Sequence, residues 1–115
     1  MIKRAEDLHT EVFTNRFGGK GEIHAKQLLA KEHFLGKGRL FSHHKIKPGS
    51  SLGQHQHNGD FEVFYILHGE GIVDDNGSKS KIKAGDVVLT GNGESHALEN
   101  TGSVDLEYIA LVLYA

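Results

Sequence analysis

With 115 residues, a net charge of -2 and no cysteine, the chain excludes several classes at once. It is long enough for one core and predicts a single domain over residues 1–115. It offers no disulfide or thiolate metal site, no basic footprint for nucleic acid, and no run near the ~20 apolar residues of a membrane helix. The stretch Met-Ile-Lys-Arg-Ala-Glu-Asp at the N-terminus lacks the apolar segment of a leader, so a cytoplasmic protein without nucleic-acid or membrane partners is expected.

Fifteen glycines and one proline predict many tight turns between short strands. Residues 1–17 are charged and weakly patterned, and an arm, a first strand and a short helix are all open. Residues 16–22 form a Gly-rich loop without the spacing of a phosphate-binding loop. Residues 22–34 have some helical propensity, but partial alternation and the β-rich remainder predict a strand. A turn at 36–38 leads to a strand over 39–47, stopped by Pro48-Gly49. A short strand and turn follow over 55–59, then a strong strand over 61–67, rich in aromatic and β-branched residues. After a turn at 69–71 and a short strand at 72–74, Asp75-Asn76-Gly77 has the chemistry of a type I′ hairpin. Strands over 79–83, 87–90 and 95–100 and a long apolar strand over 105–114 complete the chain. Turn signals at intervals of about eight to twelve residues predict an all-β sandwich or barrel.

Nine histidines are present, and the question is how many share a site. His55 and His57 stand two apart, so on a strand both imidazoles point to one side. Asn58, Gly59 and Asp60 let the chain fold back. Glu62 then opens the next strand and can face the same point. Two neutral nitrogens and one carboxylate converging on one spot suit a transition metal.

The same stretch, from Gly49 through His55, His57 and Glu62 to Gly69, resembles the first sequence motif of the cupin family at every fixed position. Gly85, Gly93, His96 and Asn100 match the second motif, and Gly91 stands where the family usually has proline. The motifs span 49–69 and 85–100. Among cupins the chain resembles bacterial conserved-barrel proteins often labelled oxalate-decarboxylase-like. The resemblance implies a jelly-roll double-stranded β-barrel. It adds His96 to a ligand set of His55, His57, Glu62 and His96 for one divalent metal: Mn, Fe, Ni or Zn. Three imidazoles and a carboxylate can fill four positions of an octahedron and leave two open for a small molecule.

Two functional expectations follow. One is a metal-dependent enzyme acting on a small oxygenated or carboxylic-acid metabolite: a decarboxylase, dioxygenase or isomerase. The alternative is a non-catalytic barrel that binds or senses a small ligand. Auxin-like or storage-type binding rests on fold likeness alone. Oxalate decarboxylation proper implies, by resemblance, two such domains and a lid acid, and neither is evident here. His43 and His44 are adjacent, so only one faces inward. Arg39 and Lys45 reach an anionic ligand only if they point inward, and Phe64 and Tyr65 are expected in the core. The strands over 61–67 and 105–114 are apolar on both faces. A partner subunit or the N-terminal segment must cover the outer one, and a homodimer is expected.

Overall fold

The computed structural model describes residues 1–115. Its strands are β1 (Thr10–Thr14), β2 (Glu22–Gln27), β3 (Gly38–Ile46), β4 (Ser51–Gln56), β5 (Asp60–His68), β6 (Glu70–Asp75), β7 (Ser78–Lys83), β8 (Val87–Thr90), β9 (Ser95–Asn100) and β10 (Leu106–Tyr114). Two antiparallel sheets form. One has six strands in the order β1-β2-β3-β10-β5-β8, and the other has four in the order β4-β9-β6-β7. This is the all-β jelly roll that the strand pattern and the two motifs lead one to expect. No helix is long and apolar enough to cross a membrane.

Alternation decides what each sheet buries. On β5, Glu62, Phe64 and Ile66 face the other sheet, and on β10 Leu106, Tyr108, Ala110 and Val112 do so. These residues join Ile23, Ile46, Leu52, Val73 and Leu98 between the sheets. The Asn76-Gly77 hairpin has positive φ at both residues, 51° and 95°, as its sequence requires. Asn100 ties the end of β9 to its surroundings. Its Nδ2 donates to the carbonyls of Ile46 and Val104 at 2.8 Å each.

Two predicted strands change. The strand over 22–34 stops at Gln27, where pairing with β3 ends. The chain then makes a 3-10 turn over Lys31–Phe34, held by Ala30 N–H donating to His33 Nδ1 at 3.0 Å. The strand placed at 55–59 begins earlier, at Ser51, and His57 lies just past its end. The N-terminal segment, left open, contributes the 3-10 turn Ala5–Asp7, edge strand β1 and a second 3-10 turn, Arg16–Gly18.

That segment extends the six-stranded sheet at its edge and leaves the outer face bare. Across the register lie two apolar rows: Phe41, Leu111, Val63 and Leu89, then Ile109, Tyr65 and Val87. Val87 is 63% and Leu89 59% exposed. Contiguous exposed apolar rows of this kind are uncommon on soluble proteins.

Candidate metal centre

The position of the two histidines depends on an irregularity in β4. Leu52 pairs with Leu98, and His55 pairs with His96. Three steps along β4 thus match two along β9, which is a β-bulge. In a regular strand Leu52 and His55 would face opposite sides. The extra residue reverses the parity, so Leu52 reaches the core and His55 still faces inward. Gly53 occupies the bulge because the turn Arg16–Gly18 crosses it closely. A Cβ at Gly53 would collide with the Phe17 carbonyl oxygen.

Four side chains converge. His57 Nε2 lies 3.0 Å from Glu62 Oε1 and 3.2 Å from His96 Nε2. His96 Nε2 lies 3.0 Å from both Glu62 Oε1 and His55 Nε2. All four candidate ligand atoms fall within 4.8 Å of one another. His57, Glu62 and His96 are buried, and His55 is half-buried. The four-stranded sheet and its edge supply the histidines. The six-stranded sheet supplies the carboxylate.

The other ring nitrogens are all engaged. His57 Nδ1–H donates to Asp60 Oδ1 at 2.6 Å, and His55 Nδ1–H donates to the Gly53 carbonyl at 2.9 Å. His96 Nδ1 lies 2.6 Å from Thr90 Oγ1. Acceptor-only partners on Nδ1 direct the Nε2 lone pairs of His55 and His57 to the centre, which is how metal-binding imidazoles are held. Facing lone pairs and a carboxylate repel unless a positive charge sits among them, so the donor set fits a divalent cation. Phe64 stacks on His96 with centroids 4.9 Å apart, and Phe17 stacks on His55 at 4.0 Å.

Without a cation at the centre, protons on the ring nitrogens take its place. Burial acts to raise the Glu62 carboxyl, yet hydrogen bonds from His57 and His96 outweigh it and hold the pKa at about 2. The Glu62 hydrogen bond raises His57 against its burial, with Asp60 adding to the effect. Burial acts to raise Asp60 too, but the Arg39 and His57 hydrogen bonds bring it below the usual carboxylate range. Burial lowers His55, and burial lowers His44 to about 4.

A cavity of about 120 Å³ opens beside this cluster, bounded by Leu52, Phe64, Val112 and the N-terminal residues Phe13, Arg16 and Phe17. The Arg16 guanidinium lies 4.2 Å from the Phe13 ring centroid and 4.6 Å from that of Phe17, so the turn 15–18 carries a cation at the cavity wall. No cover for the pocket was evident in the sequence, and this turn is one.

The remaining candidates separate cleanly. His44 faces the cavity, and His43 faces outward and pairs with Glu107 at 3.0 Å. Arg39 reaches the rim but is engaged by Asp60 at 2.8 Å, and Lys45 is on the outer face. Phe64 is in the core as expected and also walls the cavity, whereas Tyr65 is exposed on the outer face. Sequence reasoning treated Asp60 only as a turn former and missed Phe17, Ser42 and Tyr108. The H-x-H-x2-D spacing could have flagged Asp60. The others come from distant strands and carried no local signal. Gly91 in place of proline donates its N–H to Glu94 Oε1 at 2.7 Å, a bond proline would lack.

Histidines with lowered pKa values destabilise the fold as pH falls below ~6.5, because the unfolded chain takes up their protons first. His44 and His55 act this way. The raised His57 contributes stability already complete below ~6.5, and the lowered Glu62 and Asp60 contribute stability lost only below ~4.5. Chelator-treated protein is therefore expected to lose roughly 2 kcal/mol between pH 6.5 and 4.5 through His44. Urea denaturation across that window should show the loss, and it should shrink in His44→Leu.

Residues 42–113 match the Cupin domain family model. The chain is 50% identical over 113 residues to the oxalate-binding protein of Thermotoga maritima, covering 98% of this chain and 93% of that one. A crystal structure described as a predicted oxalate decarboxylase from Thermotoga maritima superposes with a TM-score of 0.95 at 49% identity, covering 100% of both chains. The polyketide cyclase RemF from Streptomyces resistomycificus shares the fold alone, with a TM-score of 0.78 at 19% identity over 99% of this chain and 80% of that one. Fold, motifs and relatives agree, and the chain belongs to the cupin family.

Proposed function

We propose that the protein binds one divalent transition metal through His55, His57, Glu62 and His96 and, beside it, a small carboxylic acid of the oxalate class. The observation that carries this reading is the convergence of four ligand atoms within 4.8 Å at the wall of a covered cavity. A bound divalent cation would supply Lewis acidity toward a carboxylate oxygen. The chain's own residues do the rest. Asp60 and the Gly53 carbonyl orient two imidazoles, Phe17 shields His55 from water, and Arg16 places positive charge where an anion enters. The 50% identical relative is named as an oxalate binder, which supports this ligand class.

Conversion of the bound acid by decarboxylation, dioxygenation or isomerisation is the second reading, favoured by the shielded cavity. Binding is preferred. Glu62 is the only carboxyl group lining the cavity, and the covering turn brings no acid that could deliver a proton.

The apolar outer face of the six-stranded sheet supports a homodimer formed through β3, β10, β5 and β8. Its neighbouring apolar rows are the kind of surface two copies bury against each other.

Elemental analysis should find about one equivalent of metal, lost in His96→Ala, and calorimetry should detect oxalate binding only with metal present. Oxalate binding that survives metal removal would exclude the proposal. Asp60→Asn should weaken metal affinity about 10- to 100-fold in a competition titration, since His57 loses its orienting acceptor. Light scattering should give twice 12.6 kDa for the wild type and 12.6 kDa for Val87→Lys with Leu89→Lys.

A further inference from the structure

Two polar atoms in the cavity have no partner. Ser42 Oγ and His44 Nε2 are both buried and make no hydrogen bond. Buried donors are almost always satisfied, so two orphans side by side in a ligand pocket call for an explanation. They stand two apart on β3, on the face that lines the cavity. Neither coordinates with the four-residue cluster.

The tautomer of His44 is set from behind. Tyr108, its register partner on β10, is fully buried, and its hydroxyl makes one hydrogen bond, to His44 Nδ1 at 3.1 Å. Burial pushes the phenol pKa up, so the hydroxyl keeps its proton. That proton has no other acceptor, so Tyr108 donates and Nδ1 accepts. A neutral imidazole that accepts at Nδ1 carries its hydrogen on Nε2. The side chain therefore aims an N–H into the cavity. Ser42 adds a hydroxyl that can donate or accept. In the register, Ala25 flanks His44 and Ala110 flanks Ser42, and these short side chains leave room in front of the pair.

We propose that Ser42 Oγ and His44 Nε2–H form a second anchoring point, which holds the far oxygen of a small dicarboxylic or hydroxycarboxylic acid whose near carboxylate lies at the His55, His57, Glu62 and His96 cluster. This rests on the metal-dependent binding proposed above and adds what that cluster alone cannot supply: discrimination between acids with one oxygen function and acids with two. A donor left unpaired by the wrong ligand is the source of such selectivity. Tyr108 is a positioning residue that acts through His44.

The test uses the Zn²⁺-loaded protein with oxalate and acetate as probes. Calorimetry on Ser42→Ala and His44→Leu should show oxalate affinity reduced about tenfold or more, with acetate affinity unchanged. Tyr108→Phe preserves the packed ring, and a severalfold loss for oxalate alone is expected. Nitrogen-15 spectra should show the Nε2–H tautomer of His44 in the wild type, a shift of that resonance on adding oxalate, and tautomer mixing in Tyr108→Phe. An Nδ1–H tautomer in the wild type would overturn the assignment. So would unchanged oxalate binding in Ser42→Ala and His44→Leu, which would leave the metal-dependent reading standing. Equal weakening of oxalate and acetate would reduce the pair to a structural role and overturn it too. A loaded wild type that binds neither acid would remove both readings together.

Discussion

Like-signed electron density gathered at one point is the constraint around which the rest is arranged. Three imidazole nitrogens and a carboxylate oxygen crowd together at about 3 Å spacings. Left to themselves these groups would rotate away or take up protons. They stay because each is tied elsewhere: His57 to Asp60, His55 to the Gly53 carbonyl, His96 to Thr90. Asp60 is tied in turn to Arg39. The outer hydrogen bonds orient the inner atoms, and a positive charge at the centre would relieve the repulsion that remains.

The two sheets divide this work. The six-stranded sheet contributes Glu62 and Thr90 as direct register partners on β5 and β8. The four-stranded sheet contributes His55 and His96 as register partners on β4 and β9. Sheet packing thus sets the depth of the site, and the bulge in β4 sets its composition. A core of Ile46, Leu52, Phe64, Leu98 and Tyr108 holds the sheets together. Phe64 and Tyr108 serve twice, since one walls the cavity beside His96 and the other supports His44. Polar chemistry is therefore carried on side chains whose packing is already decided by the core. That is how a small barrel can hold a precise site without a large scaffold.

The turn at 15–18 shows how an edge segment acquires a role. Asn15 and Phe17 both take positive φ, 53° in each case. Such backbone is disfavoured for an aromatic residue and persists only where neighbours over-determine it. Here the neighbour is Gly53, whose missing side chain lets the Phe17 carbonyl approach β4. The result is an aromatic ring over His55 and a guanidinium beside the cavity, both from a stretch whose sequence reads only as loop.

Much of the site was legible because its signal is local. His55 and His57 share a face by strand parity, Glu62 follows a short turn, and the glycines at 49, 69 and 85 mark turns that the structure gives positive φ. The strands from β5 to β10 follow directly from alternation and from Asn-Gly and Gly-Asp turn chemistry. Local pattern could not determine contacts between residues distant in sequence. The inward face of His44 over His43, the Tyr108 hydroxyl behind it, the partnerless Ser42 and the cover supplied by Phe17 all depend on contacts between residues as far as 64 apart in the chain. Register is set by the collective fit of both sheet faces. The amino-acid sequence by itself thus determined the fold class and the chemistry of His55, His57 and Glu62, with His96 added by the likeness of its second motif to the family's. Only the tertiary structure decided what surrounds them, because the parity of a strand and the closeness of a distant turn are properties of packing and not of spacing along the chain.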